Sequence, residues 1–538
     1  MNPRARAWAC RGAALAAGLA AAFAHPPFGL LPGLLGYAVM LWLIDDAGPT
    51  RRLRSAFFRA WLAGLGYFAV STWWIGEAFF VDAQDQGWME PFAVSFMAGG
   101  LALFWGLGGV IYRLLASVGA VRVLVFAGAL AGCEWLRGHV FGGFPWDLPG
   151  ETWRAGSAPS QLDSVVGAYG LTWVTLAIAA APGLGVARRA SQAAIGVAVL
   201  ALAGLYGFGA WRLAHAVAGP APNAIVIRVV QTDTPERPSY DNAAFADVVK
   251  RNLDLTRAPA ARTPDVVIWS EAGLPAAFED YLAPGTWTEA KIAAALQPGQ
   301  SLITGGYRAE PAPPGAYAPD GMLYHNSLLV LRRSVAGLTP TGLYDKYRLV
   351  PFGEYLPLDR WLAPLGVHEL IHVGNGFTPG KPPRPVSPAG LPPFQPLICY
   401  ESLFPGFTRN GARASGVRPD WIVNISDDAW FGATSGPWQH LNLASYRAIE
   451  EGLPMVRATP TGVSAVIDAY GRVLPGKLLG EGAYGAIDTP LPRPLPPTIF
   501  ESYAGAGFAL MLLISLASVA WGRRATLRRN GAAQNSVP

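Results

Sequence analysis

Three residues whose side chains could together carry out acyl transfer each follow a short apolar run of the chain. They are Glu271 after Val266–Ser270, Lys346 after Gly342–Asp345, and Cys399 after Pro396–Ile398. Residues at strand ends can converge on one edge of a sheet, where α/β domains commonly place active sites. Such a trio supports a defined reaction. The carboxylate takes the thiol proton, the thiolate attacks an acyl carbon, and the ammonium stabilises the oxyanion.

The cysteine content of the chain singles out one thiol. Of the three cysteines, Cys10 and Cys133 lie in long apolar segments, whereas Cys399 lies in a more polar, globular region. A solitary thiol there is a candidate nucleophile, and the alternative interpretation is a small buried apolar residue. The companions Glu271 and Lys346 favour the nucleophile. Three cysteines also exclude a disulfide framework.

The composition indicates that much of the chain lies in lipid. Charged residues make up 14% of the chain and hydrophobic residues 51%. Soluble domains carry roughly 25% charged residues, well above the 14% of this chain. The net charge of +5 is small, and no basic stripe indicates a nucleic-acid partner.

Repeated apolar stretches predict eight membrane-spanning helices, because about 20 apolar residues cross a bilayer core. We predict the spans at Trp8–Ala24, Leu30–Ile44, Ala56–Val81, Pro91–Ala116, Val121–Leu136, Leu162–Val186, Ala193–Leu213 and Tyr503–Trp521.

Arginines at alternate connections predict the orientation of these spans. They are Arg4, Arg6 and Arg11, then Arg51, Arg52 and Arg54, then Arg113 and Arg122, then Arg188 and Arg189, and finally Arg523, Arg524, Arg528 and Arg529. The connection His25–Gly29 has no Lys or Arg, and Asp82–Glu90 is acidic. The positive-inside rule therefore predicts cytoplasmic termini and an extracytoplasmic insert. Ala22–Ala24 also resembles a signal-peptide cleavage site, but we favour an uncleaved anchor because a second apolar segment follows closely.

The insert alternates between short β-rich runs and helical stretches, which is typical of a layered α/β domain. The predicted strands are Ala224–Val230, Asp265–Trp269, Ser301–Gly305, Ser327–Arg332, Phe394–Cys399, Trp421–Ile425, Met455–Ala458 and Ala465–Asp468, and the predicted helices are Ala243–Thr256, Thr288–Leu296 and Pro437–Glu451. We therefore expect a membrane domain over 1–215 with seven spans, a catalytic domain over 222–490, an eighth span over 501–522 and a cytoplasmic tail over 523–538.

Glu271, Lys346 and Cys399, in this order, resemble the Glu-Lys-Cys triad of the nitrilase superfamily. With seven spans before the domain and one after it, the chain as a whole resembles the bacterial apolipoprotein N-acyltransferase family. The segments that carry this resemblance are Gly143–Trp146, Lys346–Pro357, Ile398–Glu401, Asn424–Gly432, Gln439-His440 and Arg457–Thr459.

The resemblance implies a fold and a mechanism. The fold is an αββα nitrilase-like domain carried on a polytopic helical membrane domain. Cys399 becomes acylated as a thioester by a membrane phospholipid, with Glu271 as general base and then acid. Lys346 stabilises the oxyanion, and Glu354 supports the lysine. The amine of a diacylglyceryl-cysteine apolipoprotein then accepts the acyl chain, so two transfers through one covalent intermediate should give ping-pong kinetics.

The resemblance also implies substrate contacts and a location. Tyr400 and Glu401 flank the nucleophile, Trp430 lines the site, Tyr240 lies near the pocket and Trp146 belongs to an outer aromatic loop. We expect a multi-pass protein of the bacterial inner membrane with its catalytic domain on the periplasmic side. We expect no cofactor, and no His/Cys/Asp cluster has the spacing of a metal site.

Several positions depart from the usual family pattern. Gln231–Pro235 usually reads closer to Gln-Gly-Asn-Ile-Pro, Tyr240 replaces a frequent tryptophan, and Asp427 replaces a common asparagine. These changes concern substrate preference rather than the class of reaction.

Two other functions remain compatible with parts of the sequence. The first is a membrane-anchored nitrilase-like amidase or hydrolase that uses water as the acceptor, and the second is a non-catalytic membrane scaffold. The number of spans argues against the hydrolase, because one helix would suffice as an anchor. The complete trio argues against the scaffold.

Overall fold

The computed structural model describes residues 2–47, 52–115, 119–217, 219–237, 240–314, 318, 320–355 and 376–534, with the backbone alone for residue 3 and for 525–534. Some parts of the predictions lie outside the described residues: Arg51, Ala116, Leu356, Pro357 and the side chains of Arg528 and Arg529.

The chain forms two compact units. The helical unit comprises Met1–Ala216, Trp438–Glu450 and Pro497–Pro538, and the sheet unit comprises Val217–Pro437 and Glu451–Pro496. Residues 438–450 of the helical unit lie inside the segment 222–490, which we predicted as the catalytic domain. Our domain bounds stay a prediction.

The described residues contain α-helices in both units. In chain order they are α1 (Pro3–Phe23), α2 (Leu35–Asp45), α3 (Arg52–Ser71), α4 (Ala83–Gln86), α5 (Glu90–Leu115), α6 (Arg122–Arg137), α7 (Asp163–Ala180), α8 (Arg189–Ala214), α9 (Asn242–Thr256), α10 (Phe278–Tyr281), α11 (Trp287–Ala295), α12 (Phe407–Ser415), α13 (Gly436–Glu451), α14 (Ile499–Tyr503) and α15 (Ala506–Gln534).

A helix lies at each of the eight positions where we predicted a span, namely α1, α2, α3, α5, α6, α7, α8 and α15. By length and composition, four segments of the described chain are able to cross a bilayer: Ala83–Leu115, Pro159–Leu184, Arg189–Ala214 and Ala506–Arg524. Leu31–Asp45 is a shorter apolar helical segment. The helical unit is therefore a membrane region with four candidate spans.

Small residues and buried polar groups hold the helical unit together. Gly18 of α1 lies so close to α3 that an added Cβ would fall on the carbonyl oxygen of Ala63. Such close approach is typical of helix packing in lipid, where small residues let backbones meet. The buried His25 ring lies within hydrogen-bond distance of Tyr67 Oη at 2.6 Å and Thr152 Oγ1 at 2.8 Å. These polar contacts join segments that are distant in sequence.

The sheet unit contains two β-sheets. The strands are β1 (Val226–Thr232), β2 (Val266–Ile268), β3 (Ser301–Pro311), β4 (Met322–Ser334), β5 (Gly337–Asp345), β6 (Phe394–Ile398), β7 (Trp421–Ile425), β8 (Met455–Ala458), β9 (Ser464–Ile467), β10 (Val473–Leu479) and β11 (Tyr484–Pro490). One sheet has the order β11-β1-β2-β3-β4-β5, and the other has the order β10-β9-β8-β7-β6. The pairs β1/β2, β2/β3, β6/β7 and β7/β8 are parallel, so their carboxyl ends share one edge of each sheet.

The alternation of apolar residues along the strands creates two faces on the first sheet. Ile227, Ile268 and Val330 pack into a core that also contains Phe394 and Val423 of the second sheet. The intervening residues, which include Val230, Val267 and Leu329, pack into a second core with α9 and α11. The two sheets therefore lie face to face, with helices outside the first.

Local capping fixes the outer helices. Asp241 Oδ1 accepts a hydrogen bond of 2.8 Å from the amide of Ala244 and so begins α9. Thr286 caps α11 in the same way through the amide of Glu289. On the second sheet, Gly411 of α12 faces the Gln395 side chain of β6. The predicted helices over Ala243–Thr256, Thr288–Leu296 and Pro437–Glu451 are confirmed to within a residue at each end.

The sandwich core generates a prediction about stability. Val330 of β4 is fully buried between the sheets, whereas Val335 in the turn after β4 is 93% exposed. Val330→Ala should lower the free energy of unfolding by about 2 kcal/mol, because it removes two buried methyl groups and leaves a cavity. Val335→Ala is the matched control and should change it little. Chemical denaturation of the full chain in detergent measures both, and equal effects would contradict the sandwich core.

Candidate active site

The three predicted catalytic residues all lie in the sheet unit, and each of them follows the end of a strand. Glu271 follows β2, and Lys346 follows β5, which runs antiparallel to β4. Cys399 follows β6 of the second sheet. The first sheet thus supplies the carboxylate and the ammonium, and the second sheet supplies the thiol.

A close approach of two backbone segments fixes Glu271. Gly305 of β3 lies against it, so that a Cβ built on Gly305 would fall 2.4 Å from Glu271 Cα. The amide of Gly305 also donates a hydrogen bond of 3.0 Å to the carbonyl of Ser270. Only glycine allows this approach, because any side chain would push the glutamate segment away.

Lys346 lies between two carboxylates. Its Nζ is 3.1 Å from Glu271 Oε1 and 3.0 Å from Glu354 Oε1, and its side chain is 1% exposed. Asn326 Nδ2 donates to the same two oxygens, at 2.7 Å in each case. Burial opposes the charge of Lys346, but Glu271 and Glu354 outweigh it and raise the pKa of the lysine. The lysine is therefore a cation throughout the physiological range.

Backbone amides hold the outer oxygens of the two carboxylates. Glu271 Oε2 accepts a hydrogen bond of 2.8 Å from the amide of Asp427. Glu354 Oε2 accepts one of 2.7 Å from the amide of Val350. A carboxylate has about four lone-pair sites. Oε2 of Glu271 has one donor among the described residues and Oε1 has two, so Oε2 is the better oxygen to receive a proton.

Cys399 lies at a sharp turn and is half-buried. Its φ of 49° is in the left-handed region, which is unusual for a non-glycine residue and frequent at active sites. Burial raises the pKa of the thiol, and the negative charge of Glu271 raises it further. The charge of Lys346 and a hydrogen bond with Ser426 act in the opposite direction. The resting residue is therefore a thiol, and a base must remove its proton.

Glu401 joins the nucleophile segment to the lysine segment. Its Oε2 accepts from the amide of Ile398 at 2.9 Å. Its Oε1 accepts from Tyr344 Oη at 2.7 Å and from the amides of Tyr347 and Arg348 at 2.8 and 3.1 Å. Burial raises the pKa of Glu401 to about 7, although these donors favour its charged form. Glu401 is fully buried. Its hydrogen bonds position the segment of Cys399 relative to the segment of Lys346.

A buried ion pair supports the loop after β7. Arg457 donates to both oxygens of Asp428, at 2.8 and 2.7 Å, and also to Asn424. Asn424 Nδ2 donates to the carbonyl of Leu397, next to the nucleophile segment, at 2.9 Å. Ser426 Oγ donates to Asp428 at 2.8 Å. Charges buried in this way persist because they are paired and hydrogen-bonded.

The residues that we expected near the substrate lie in different surroundings. Tyr400 is buried, with its ring 5.1 Å from that of Phe404. Trp430 is 41% exposed on the one-turn helix after β7. Tyr240 is half-buried, and the charges of Glu236 and Asp427 act on it. Their contact with substrate stays a prediction, as does that of Glu401.

Trp146 belongs to the helical unit. Its indole nitrogen donates to Gln439 Oε1 at 3.0 Å, and its ring lies 4.4 Å from the ring of Trp74. The side chain is almost fully buried in this aromatic and polar surrounding. A substrate role of Trp146 stays a prediction.

Sequence reasoning did not identify Asn326, Ser426 or the amide of Asp427 as part of the site. Asn326 precedes the strand that we predicted from Ser327, and the signal was a polar pair, His325-Asn326, beside an apolar run. Every residue except proline has a backbone amide, so residue types do not show which amides donate to a site. The hydrogen bond from the Asp427 amide is therefore visible only in the structure.

The electrostatics of Cys399 generate a prediction about pH. Because burial and Glu271 raise the pKa of the thiol, its alkylation by iodoacetamide should keep rising above pH 9, without a plateau near neutrality. Mass spectrometry of the alkylated peptide measures the rate at each pH. The urea-unfolded chain is the control and should level off near the ordinary thiol pKa of about 8.5. A plateau below pH 8 in the folded protein would contradict a protonated resting thiol.

Two known protein families match separate parts of this chain. Residues 17–181 match the family described as apolipoprotein N-acyltransferase N-terminal domain. Residues 227–491 match the carbon-nitrogen hydrolase family. The first range lies in the helical unit, and the second contains most of the sheet unit.

Relatives that match this chain over nearly its whole length are apolipoprotein N-acyltransferases. The apolipoprotein N-acyltransferase of Caulobacter vibrioides is 54% identical over 95% of this chain and 94% of its own length. That of Brucella melitensis is 38% identical over 90% of each chain, and that of Rhodopseudomonas palustris is 36% identical over 95% of this chain and 96% of its own. Because the similarity covers both units from end to end, the chain belongs to the apolipoprotein N-acyltransferase family.

Proposed function

We propose that this protein transfers an acyl chain from a membrane phospholipid, through a thioester on Cys399, to the N-terminal amine of diacylglyceryl-cysteine apolipoproteins. The observation that carries the proposal is the Lys346 ammonium, held between Glu271 and Glu354 at 3.1 and 3.0 Å and acting electrostatically on Cys399. The relatives are apolipoprotein N-acyltransferases, which supports an apolipoprotein as the acceptor.

The first half-reaction forms the thioester. Glu271 takes the proton of the Cys399 thiol, and the sulfur attacks the ester carbonyl carbon of the phospholipid. The resulting oxyanion is stabilised by Lys346. When the intermediate collapses, the carbon–oxygen bond breaks, and the proton on Glu271 passes to the lysophospholipid oxygen. The acyl chain then remains on Cys399.

The second half-reaction restores the thiol. The lipoprotein amine attacks the thioester carbon while Glu271 takes an amine proton, and Lys346 again stabilises the oxyanion. The carbon–sulfur bond breaks, the sulfur regains the proton, and an amide forms. Both half-reactions use one base and one cation, which is the basis of ping-pong kinetics.

The hydrogen-bond inventory of Lys346 supports this role. An ammonium has three donors, and two of them point to Glu271 and Glu354 in the described part of the chain. One donor remains for an oxyanion. Because the carboxylates and Asn326 fix the ammonium beforehand, little reorganisation is needed when the charge develops.

The lipid origin of both substrates fits the proposed topology. We propose that eight helices span the inner membrane with both termini in the cytoplasm, which places the sheet unit in the periplasm. Tyr240, Tyr400, Glu401, Trp430 and Trp146 are the proposed substrate contacts. With both substrates anchored in the bilayer, neither has to be extracted far into water.

A membrane-bound amidase is the second candidate, since residues 227–491 match carbon-nitrogen hydrolases. In that case water, rather than an amine, would cleave the thioester. Incubation with labelled phospholipid, with and without a diacylated lipopeptide, separates the two functions. Release of fatty acid alone would favour the hydrolase.

The proposed intermediate generates a direct prediction. Incubation of the purified protein with phospholipid should add one acyl mass to the peptide that contains Cys399, and hydroxylamine should remove it, because thioesters are cleaved by this nucleophile. Intact-peptide mass spectrometry measures the adduct. Cys399→Ser should lose the hydroxylamine-sensitive adduct, while Cys133→Ser is the matched control and should keep it. An adduct on another residue would contradict the proposal.

The position of Glu271 generates a second prediction. Gly305→Ala should reduce the rate of Cys399 acylation about a hundredfold, because the new methyl group displaces the backbone that carries the base. Gly485→Ala is a control in the same sheet, since its Cβ would meet only Leu479 side-chain atoms at 3.6 Å or beyond. Single-turnover kinetics measures both. An unchanged rate in Gly305→Ala would show that Glu271 does not need this position.

A further inference from the structure

Two carboxyl groups lie beside the catalytic base and are not used in the proposed reaction. Glu236, after β1, and Asp427, after β7, have side chains close enough to act on each other. Asp427 is 8% exposed and Glu236 is half-buried. The pair thus joins the carboxyl ends of one strand from each sheet.

The contact between these side chains requires a proton. An ionised carboxylate has only acceptors, so two of them cannot hydrogen-bond to each other. A hydrogen bond within the pair therefore needs one proton on one of its two carboxyl groups. Burial raises the pKa of both groups, and the charges of Glu236 and Glu271 raise that of Asp427 further.

Asp427 connects this pair directly to the base. Its amide donates the 2.8 Å hydrogen bond to Glu271 Oε2, the oxygen best placed to take the thiol proton. Its own Oδ1 accepts a hydrogen bond of 3.0 Å from the amide of Ala429. Asp427 therefore contacts the base through its backbone amide and the loop after β7 through its side chain.

The charged groups around the pair are mostly acidic. From the segment after β1, Tyr240 faces both carboxyls and the backbone of Arg237 donates to Glu236. From the segment after β2, Glu271 acts on both of them. The neighbouring Asp428 is paired with Arg457. A second negative charge on the pair would thus be repelled by Glu271.

We propose that Glu236 and Asp427 form an acid pair that shares one proton, positions Glu271 for acyl transfer and sets an upper pH limit to the activity. The claim about activity rests on the proposed function. The two residues are positioning residues, since they act through Glu271 rather than on the substrate.

The direction of the pH effect follows from the shared proton. Below the pKa of the pair, one proton joins the carboxyls and the Asp427 amide stays on Glu271. Above it, two carboxylates repel each other, Asp427 shifts, and Glu271 loses a hydrogen bond. The rate of Cys399 acylation should then fall about tenfold, which is typical for the loss of one hydrogen bond to a charged group.

Amide variants mimic the protonated pair at every pH. In Glu236→Gln the new amide donates to an ionised Asp427, and in Asp427→Asn the donor and acceptor are exchanged. Both keep one hydrogen bond and one negative charge, and neither pair can acquire a second negative charge. Glu236→Ala, in contrast, removes the partner. Asp254→Asn is the control, because that carboxylate pairs with Lys250 on the exposed face of α9.

The test combines two measurements on the full-length protein in phosphatidylethanolamine vesicles. Infrared difference spectroscopy of the resting protein follows the carbonyl band of protonated carboxyl groups as the pH rises. Single-turnover acylation of Cys399 gives a pH profile for each variant, normalised to its own maximum.

We expect the wild-type spectrum to contain a protonated-carboxyl band that Glu236→Gln and Asp427→Asn both remove. The alkaline limb of acylation should move up by at least one pH unit in both amide variants and stay in place in Asp254→Asn. At neutral pH, Glu236→Gln should be about tenfold faster than Glu236→Ala, because only the glutamine restores the hydrogen bond.

An unchanged carboxyl band in both amide variants would overturn the acid pair. Alkaline limbs that coincide with the wild type would overturn its role in activity. If the wild type gave no adduct on Cys399, the proposed function would fail, and the infrared result would still decide whether the pair exists.

Discussion

The site depends on one buried cation between two carboxylates. Lys346 is almost fully buried, and an isolated ammonium there would be very costly. Glu271 and Glu354 compensate its charge, and Asn326 bridges both. Together, Lys346, Glu271 and Glu354 carry one net negative charge. The amides of Asp427 and Val350 stabilise this charge through hydrogen bonds to the two carboxylates. Removal of Lys346 would leave two buried carboxylates without their shared cation, so the lysine holds the cluster together.

The sandwich brings this cluster to the nucleophile. The cation and the base come from the first sheet, and Cys399 comes from the second, so their encounter requires the core between the sheets. Glu401 then ties the two segments together, because it accepts hydrogen bonds from both the β6 end and the lysine segment. The left-handed turn at Cys399 is held by these contacts, and burial keeps its thiol protonated by raising its pKa.

The sequence predicted the elements with clear alternation or long apolar runs. Trp421–Ile425 and Met455–Ala458 were confirmed to the residue, and a helix lies at every predicted span. The strands β5, β10 and β11 escaped prediction because proline, glycine or charged residues interrupt their patterns. Glu271, Lys346 and Cys399 could be predicted from the sequence because the proposed chemistry depends on their side chains. The contributions of Gly305 and of the Asp427 amide come from backbone geometry, which residue types do not encode. The hydrogen bonds that Glu401 accepts from Tyr344 and from three backbone amides likewise required the structure, and its contact with substrate stays a prediction.

The central claim is that the acyl chain on Cys399 is the one that reaches the acceptor. A chase tests this most directly. The protein is loaded with an isotope-labelled acyl chain from phospholipid, the donor is removed, and a diacylated lipopeptide is added. We expect the label to leave Cys399 and to appear in equal amount as an amide on the lipopeptide. Label that stays on Cys399, or that leaves only as free fatty acid, would contradict acyl transfer through Cys399.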